Sequence, residues 1–117
     1  MWQVEFYTLP SGACPTKEFL DSLDKKDELP FAIRKLNLLR ELGNQLRRPH
    51  ADYLEGGIYE LRIPVKHMQY RLLYFYFYQE KIIISHGLQK EAKVKKAEIE
   101  KAKKHKTDYF ARHERKS

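Results

Sequence analysis

A single cysteine, Cys14, in 117 residues leaves the sequence without a partner for an intramolecular disulfide. No Cys/His grouping has zinc-ligand spacing, and no apolar run approaches the roughly 20 residues needed to cross a bilayer. Also missing are a Gly-rich loop of the Walker type, a His-Glu-x-x-His pair and a Gly-x-Ser-x-Gly elbow, which removes nucleotide hydrolysis, zinc peptidase and hydrolase readings. There is no internal repeat and no low-complexity linker. The N-terminus opens on a strand-like pattern rather than a basic segment, a long apolar stretch and a small-residue cleavage site, so the expected setting is a reducing, cytoplasmic one. A length of 117 residues with 42% hydrophobic content is the size of one compact domain with one core, and one domain over 1–117 is expected.

Acid is the scarcer charge. Against 16 Asp+Glu stand 23 Lys+Arg, giving a net charge of +7 and a pI near 9.5, a field that attracts polyanions. The excess is concentrated from Lys90 onward, where eleven basic residues face five acidic ones. Such a run reads either as a solvated helix face or as a nucleic-acid contact surface.

Trp2, Val4 and Phe6 alternate with Gln3, Glu5 and Tyr7, the period of two of a half-buried strand. Pro10-Ser11-Gly12 breaks it. Pro15-Thr16 opens a short helix with Phe19, Leu20 and Leu23 on one side. A longer helix starts near Asp27, tolerates Pro30 in its first turn, buries Ile33, Leu36 and Leu39, and stops at Gly43; the two helices are expected to form an antiparallel pair. The stretch 44–57, with Arg47-Arg48-Pro49-His50 and Gly56-Gly57, reads as loop. Residues 58–63, 68–78 and 81–87 then read as three successive antiparallel strands, of which 70–78 is apolar on both faces and suits a covered central position. A basic C-terminal helix follows over about 96–113, with Ile99, Ala102, Tyr109 and Phe110 as a narrow apolar stripe. The expected fold is therefore α+β: one N-terminal strand, a two-helix hairpin, a three-stranded meander completing a four-stranded sheet, and a C-terminal helix.

Two arginines are planted in what otherwise reads as a buried hairpin. Side chains alternate along a strand, so Glu60 and Arg62 share one face while Tyr59, Leu61 and Ile63 take the other, and Arg71 points opposite to Tyr70, Leu72 and Tyr74. Pairing through a turn around Lys66 brings Arg62 and Arg71 together with Glu60 beside them. A guanidinium stays charged at any ordinary pH, so a pair on a sheet face calls for an anion, and a phosphate fits. An ion pair with Glu60 explains one arginine better than two. The strip Tyr74, Phe75, Tyr76, Phe77 and Tyr78 reads as core bulk in preference to a base-stacking platform.

The order strand, helix, helix, three strands, with Tyr70-Arg71-Leu72 in the middle of the sheet, resembles the RelE superfamily of toxin–antitoxin toxins. Gly57-Ile58-Tyr59-Glu60-Leu61-Arg62, Tyr70-Arg71-Leu72-Leu73-Tyr74-Phe75 and His86-Gly87-Leu88-Gln89-Lys90, ending in Glu98-Ile99-Glu100-Lys101-Ala102 and Asp108-Tyr109, are similar to the phage-derived HigB-like branch. The resemblance implies a metal-independent and cofactor-free mRNA interferase. Such a toxin enters the ribosomal A site and cleaves mRNA by attack of a 2′-hydroxyl on its own phosphodiester. It also implies a cognate antitoxin, in that branch a HigA-like helix-turn-helix protein. By the same resemblance Arg71 stabilises transition-state charge, Arg62 and Lys90 are further catalytic cations, and Glu60 stands where RelE itself has a lysine. The proton-transfer group is left open among Glu60, His86, His67 and Tyr109, with Tyr109 read as the helix's core anchor in preference to a base-stacking group. RNA-binding candidates are Lys66 and His67 in the hairpin turn and Lys93, Lys95 and Lys96 ahead of the last helix. A ParE-like toxin with a target such as gyrase, and a non-catalytic basic RNA-binding module, are the other readings.

Overall fold

The computed structural model describes residues 1–79, 81–89 and 93–114. The elements run β1 (Gln3–Phe6), α1 (Pro15–Asp21), α2 (Leu29–Leu42), a 3-10 turn (Gly43–Gln45), β2 (Ala51–Glu55), β3 (Ile58–Val65), β4 (Met68–Phe77), β5 (Lys81–Gln89) and α3 (Lys96–His113). The class is α+β as expected, but the sheet has five strands in the order β1-β5-β4-β3-β2, not four. The extra strand is β2, which falls in the stretch read as loop. It pairs antiparallel with β3, and the connection is the two-residue turn Gly56-Gly57, with φ of 59° and 81°. Two successive positive φ values are what a tight hairpin that follows the sheet's twist needs, and glycine supplies them without steric cost.

β1 closes the opposite edge and runs parallel to β5, Gln3 facing Lys81 and Phe6 facing Ile84, so the sheet is mixed. β4 is the middle strand, as its two-sided apolar pattern demands. Tyr70, Leu72 and Tyr74 enter the core beneath α1 and α2, together with Leu61, Ile63, Ile82 and Ile84. Leu73, Phe75 and Phe77 enter a second core beneath α3, with Ile58, Ile83, Ile99, Ala102 and Tyr109. The tyrosine and phenylalanine strip is thus core filling, except Tyr78, which lies beyond the strand and is 54% exposed.

Pro15 starts α1 and the Ser22 hydroxyl closes it by donating to the Phe19 carbonyl at 2.6 Å. α1 lies over β5 and α2 over β3, so each helix docks principally on the sheet and not on the other, unlike the expected hairpin pair. α2 begins at Leu29, two residues after the expected start, and ends before Gly43. Its buried line is Ala32, Leu36 and Leu39, while Ile33 is 46% exposed. The 100° step per residue puts Ala32 on the sheet side and turns Ile33 away from it. Among the described residues no helix is long and apolar enough to cross a membrane.

Gly87 on β5 faces α1, where an added Cβ would come within 2.3 Å of the Phe19 ring. The helix therefore sits closer to the sheet than any side chain at that position permits.

Candidate nucleic-acid interface at the sheet rim

Arg62 and Arg71 are direct cross-strand partners on β3 and β4. They project to the α3 side, on the face that also carries Asp52, opposite Glu60 on β2. Glu60 is 5% exposed and bridges the pair: one carboxylate oxygen accepts from Arg71 Nε at 2.9 Å, the other from Arg62 Nε at 3.1 Å. Arg62 Nη2 reaches Asp52 at 3.3 Å, and Asp52 in turn accepts from Arg48 Nε at 2.9 Å. The result is an alternating ladder across three strands, Arg48, Asp52, Arg62, Glu60, Arg71.

Strand geometry explains the ladder. Residues two apart on one strand share a face and directly opposed residues on neighbouring strands lie side by side, so acid and base alternate without any backbone distortion. Arg48 precedes β2 and reaches Asp52 from its end. Arg48 donating to Asp52, the Tyr53 backbone N–H and the two guanidinium charges hold the Asp52 carboxyl below the usual carboxylate range. Two further contacts orient Arg71, whose Nη1 donates to the Gln69 side-chain oxygen at 3.1 Å and the Tyr70 carbonyl at 3.3 Å. Among the described residues, Arg71 Nη2 and Arg62 Nη1 make no hydrogen bond, so each guanidinium keeps donors for an incoming anion.

The ladder floors a concavity of about 620 Å³ walled by Tyr53, Leu54 and Glu55 on one side and by Lys93, Val94 and Ile99 on the other. Among the described residues four cations line it against three acids, and one of those acids, Glu55, is engaged from outside by Lys103 at 2.6 Å and Lys96 at 3.0 Å. These contacts hold Glu55 ionised, its carboxyl lowered chiefly by the Lys103 hydrogen bond. The hollow is thus open and cationic, with a buried carboxylate at its floor. That combination can bind an anion and accept a proton beside it.

The other sequence candidates are spread more widely. Lys93 lines the hollow, Lys96 is at its rim through Glu55, and Lys95 is exposed ahead of α3. Lys66 and His67 form the β3–β4 turn, and Lys66 sits beside Asp24, Asp27 and Glu28 rather than with the arginines. Lys90 lies outside the described residues. Tyr109 anchors α3 against Phe75 and Phe77, with 3% exposure, in agreement with the core reading.

His86 is not brought to the arginine pair. It pairs across from Leu73 and is 2% exposed beneath α3, where Nε2 meets Glu98 at 2.9 Å. Its Nδ1 lies 2.8 Å from the Ser85 hydroxyl, which also contacts His105 Nδ1 at 2.8 Å. One hydroxyl can donate to one imidazole and accept from the other, so the His-Ser-His chain is satisfied with both rings neutral. Burial pushes His86 below its ordinary value against the opposing pull of Glu98, and burial with the nearby His86 pushes His105 down to about 4. His105 stacks on Tyr7, ring centroids 4.2 Å apart, and Tyr7 donates to Asp108 at 2.7 Å. In the unfolded chain these histidines protonate below about pH 6.5, whereas in the fold they resist protonation. The unfolded state therefore binds more protons as pH falls, and stability drops from about pH 6.5 down to about 4. Urea titrations are expected to show a loss of roughly 1–2 kcal/mol at pH 5 relative to pH 7, reduced in a His105→Gln variant. A flat profile over that range contradicts the neutral relay.

Among the described residues no three His, Cys, Asp or Glu side chains are grouped so as to hold a metal ion. The residues that sequence reasoning passed over are Arg48, Asp52 and Tyr53. Their signal was the Gly56-Gly57 pair, which marks a hairpin and makes 51–55 a strand.

Fold and cleft together define a small α+β domain that presents an arginine pair on the α3-side face of its sheet. A family model described as "Phage derived protein Gp49-like (DUF891)" matches residues 18–107, and the chain belongs to that family, which lies within the RelE/HigB-like toxins of toxin–antitoxin pairs. No curated protein matches the chain.

Proposed function

We propose that the protein is a ribosome-dependent mRNA interferase, a toxin held in check in the cytoplasm by a cognate helix-turn-helix antitoxin. The observation that carries the reading is the cross-strand pairing of Arg62 with Arg71 over one buried carboxylate, at the floor of an open cationic hollow. A purely structural ion pair is complete with one arginine. The second, with donors unengaged among the described residues, matches the two negative oxygens of a phosphodiester, whose charge grows as the phosphorane forms.

In this mechanism the scissile phosphate lies on the two guanidiniums. The 2′-hydroxyl of the upstream nucleotide gives its proton to a base as its oxygen attacks phosphorus, and the P–O bond to the downstream 5′-oxygen breaks as that oxygen takes a proton from water, yielding a 2′,3′-cyclic phosphate and a free 5′-hydroxyl. Glu60 is the base within reach. Arg62 holds one of its oxygens through Nε at 3.1 Å and Nη2 at 3.0 Å, while the other accepts from Arg71 Nε alone and retains a lone pair for proton transfer. Lys93 at the wall, Lys96 at the rim and Lys95 ahead of α3 add attraction for the flanking phosphates. Lys90, outside the described residues, is a further catalytic cation by the family resemblance.

Adding the protein to a cell-free translation reaction and mapping 5′ ends of the mRNA tests the proposal. Codon-spaced cuts bearing 5′-hydroxyls are expected. Intact mRNA with broken DNA points instead to a gyrase-type target, and intact mRNA and DNA to a binding module without catalysis.

A further inference from the structure

The hollow over the arginine ladder has a neighbour. A second concavity, about 480 Å³, is lined by Asn44, Leu46, Ala51 and Tyr59, and it shares Arg48, Asp52 and Tyr53 with the first. The two meet at β2, the free edge strand of the sheet. Alternation along β2 turns Asp52 toward the arginines and Tyr53, paired with Tyr59, toward the helix side. A polymer crossing that edge passes from a charged surface to an aromatic one within one nucleotide's reach.

We propose that this second hollow is a nucleoside subsite, in which the base adjoining the bound phosphate stacks on Tyr53 and presents its polar edge to Asn44. The proposal rests on the nuclease reading for the phosphate's position, but not for the binding itself.

Tyr53 has the properties of a stacking platform. It is 53% exposed, although it belongs to a strand of a sheet whose other aromatics are largely buried. Its ring is nonetheless held in place. Tyr59 packs against it edge-on at 5.0 Å, and its hydroxyl accepts the Gly57 N–H at 3.2 Å. Tyr59 is fixed in turn by Tyr74, stacked at 5.5 Å, and by Tyr76 at 5.2 Å. An aromatic face that is both exposed and immobile loses little entropy when a base covers it. Leu46 and Ala51, both nearly fully buried, give the hollow an apolar floor, and exposed Asn44 offers an amide donor and acceptor at its edge. Apolar floor, aromatic wall and a few polar groups at the mouth are what a small-ligand site of this size requires. Arg48, fixed by Asp52, stands between base and phosphate.

The test uses the full-length protein with three probes, inorganic phosphate and the 3′-monophosphates of adenosine and cytidine, with affinity followed by NMR shifts. The nucleotides are expected to bind more tightly than phosphate. Tyr53→Ala is expected to erase that advantage, a loss of about tenfold, while phosphate binding persists. Tyr53→Phe, which retains the ring, restores most of it. Asn44→Ala narrows the difference between the two nucleotides. Equal affinity for phosphate and nucleotides, or a Tyr53→Ala variant that binds nucleotides like the wild type, overturns the subsite. Translation assays separate the two ideas. Nucleotide binding that depends on Tyr53 without any RNA cutting removes the nuclease and leaves the subsite. Cutting that Tyr53→Ala alters in neither rate nor base preference removes the subsite and leaves the nuclease.

Discussion

Arg71→Ala is expected to lower RNA cleavage by about a hundred- to a thousandfold, the usual loss when one preorganised donor to a developing oxyanion is removed. The same change is expected to cost about 2–3 kcal/mol of stability, because Glu60 is 5% exposed and loses its 2.9 Å partner. Arg62 still touches Glu60, which keeps the loss below that of a wholly orphaned carboxylate. Since a less stable variant also loses activity, Arg71→Lys is the decisive companion. A lysine keeps positive charge near Glu60, so folding is largely preserved, but a point charge replaces the planar fork that meets two phosphate oxygens. Cleavage by Arg71→Lys is expected to fall at least about tenfold at near-wild-type melting temperature. Undiminished cutting by both variants removes Arg71 from the chemistry and leaves the ladder as a structural ion network.

Gly87→Ala is expected to be the most damaging single methyl that can be added to the sheet. The new Cβ would lie 2.3, 2.5 and 2.8 Å from three atoms of the Phe19 ring, well inside contact distance. Phe19 has little room to retreat, since its ring packs edge-on against Tyr70 at 5.7 Å. The seven-residue α1 must therefore lift from β5. Overpacking of this kind costs about 2–3 kcal/mol, or a fall of roughly 10 °C in melting temperature for a chain of this size. Gly87 faces the helices and the arginines face α3, so the folded fraction is expected to cleave as the wild type does. Phe19→Ala combined with Gly87→Ala should cost less than the sum of the two singles, because the clash needs both partners. A Gly87→Ala protein that melts with the wild type shows that α1 is seated loosely.

Much of this was legible in the residues. β3, β4 and β5 announced themselves through long apolar runs, and a period of two was enough to put Arg62 and Arg71 on one face. The run at 51–55 was not legible in the same way. An edge strand has only one neighbour and both acids and aromatics on it, so its hydrophobic pattern is weak, and the preceding Arg47-Arg48-Pro49-His50 argued for loop. With β2 went Asp52 and Tyr53, and hence half of the rim. His105 was hidden differently: Ile99, Ala102 and Tyr109 leave a gap that helical spacing fills at 105 or 106, but a histidine there reads as polar until burial is known to keep it neutral. His86 misled in the opposite direction, since a histidine at a strand end is exposed or buried according to what lies above it, and α3 lies above it here.

The parallel pairing of β1 with β5 has an entropic meaning. Gln3 to Phe6 precede their hydrogen-bonding partners, Lys81 to Ile84, by a long stretch of sequence. The β3–β4 hairpin that bears the arginines closes through a two-residue turn at small entropic cost, whereas β1 and β5 are joined across a long loop at a larger one. The arginine pair thus rests on a local pairing of the sheet, whereas the far edge of that sheet rests on a distant one.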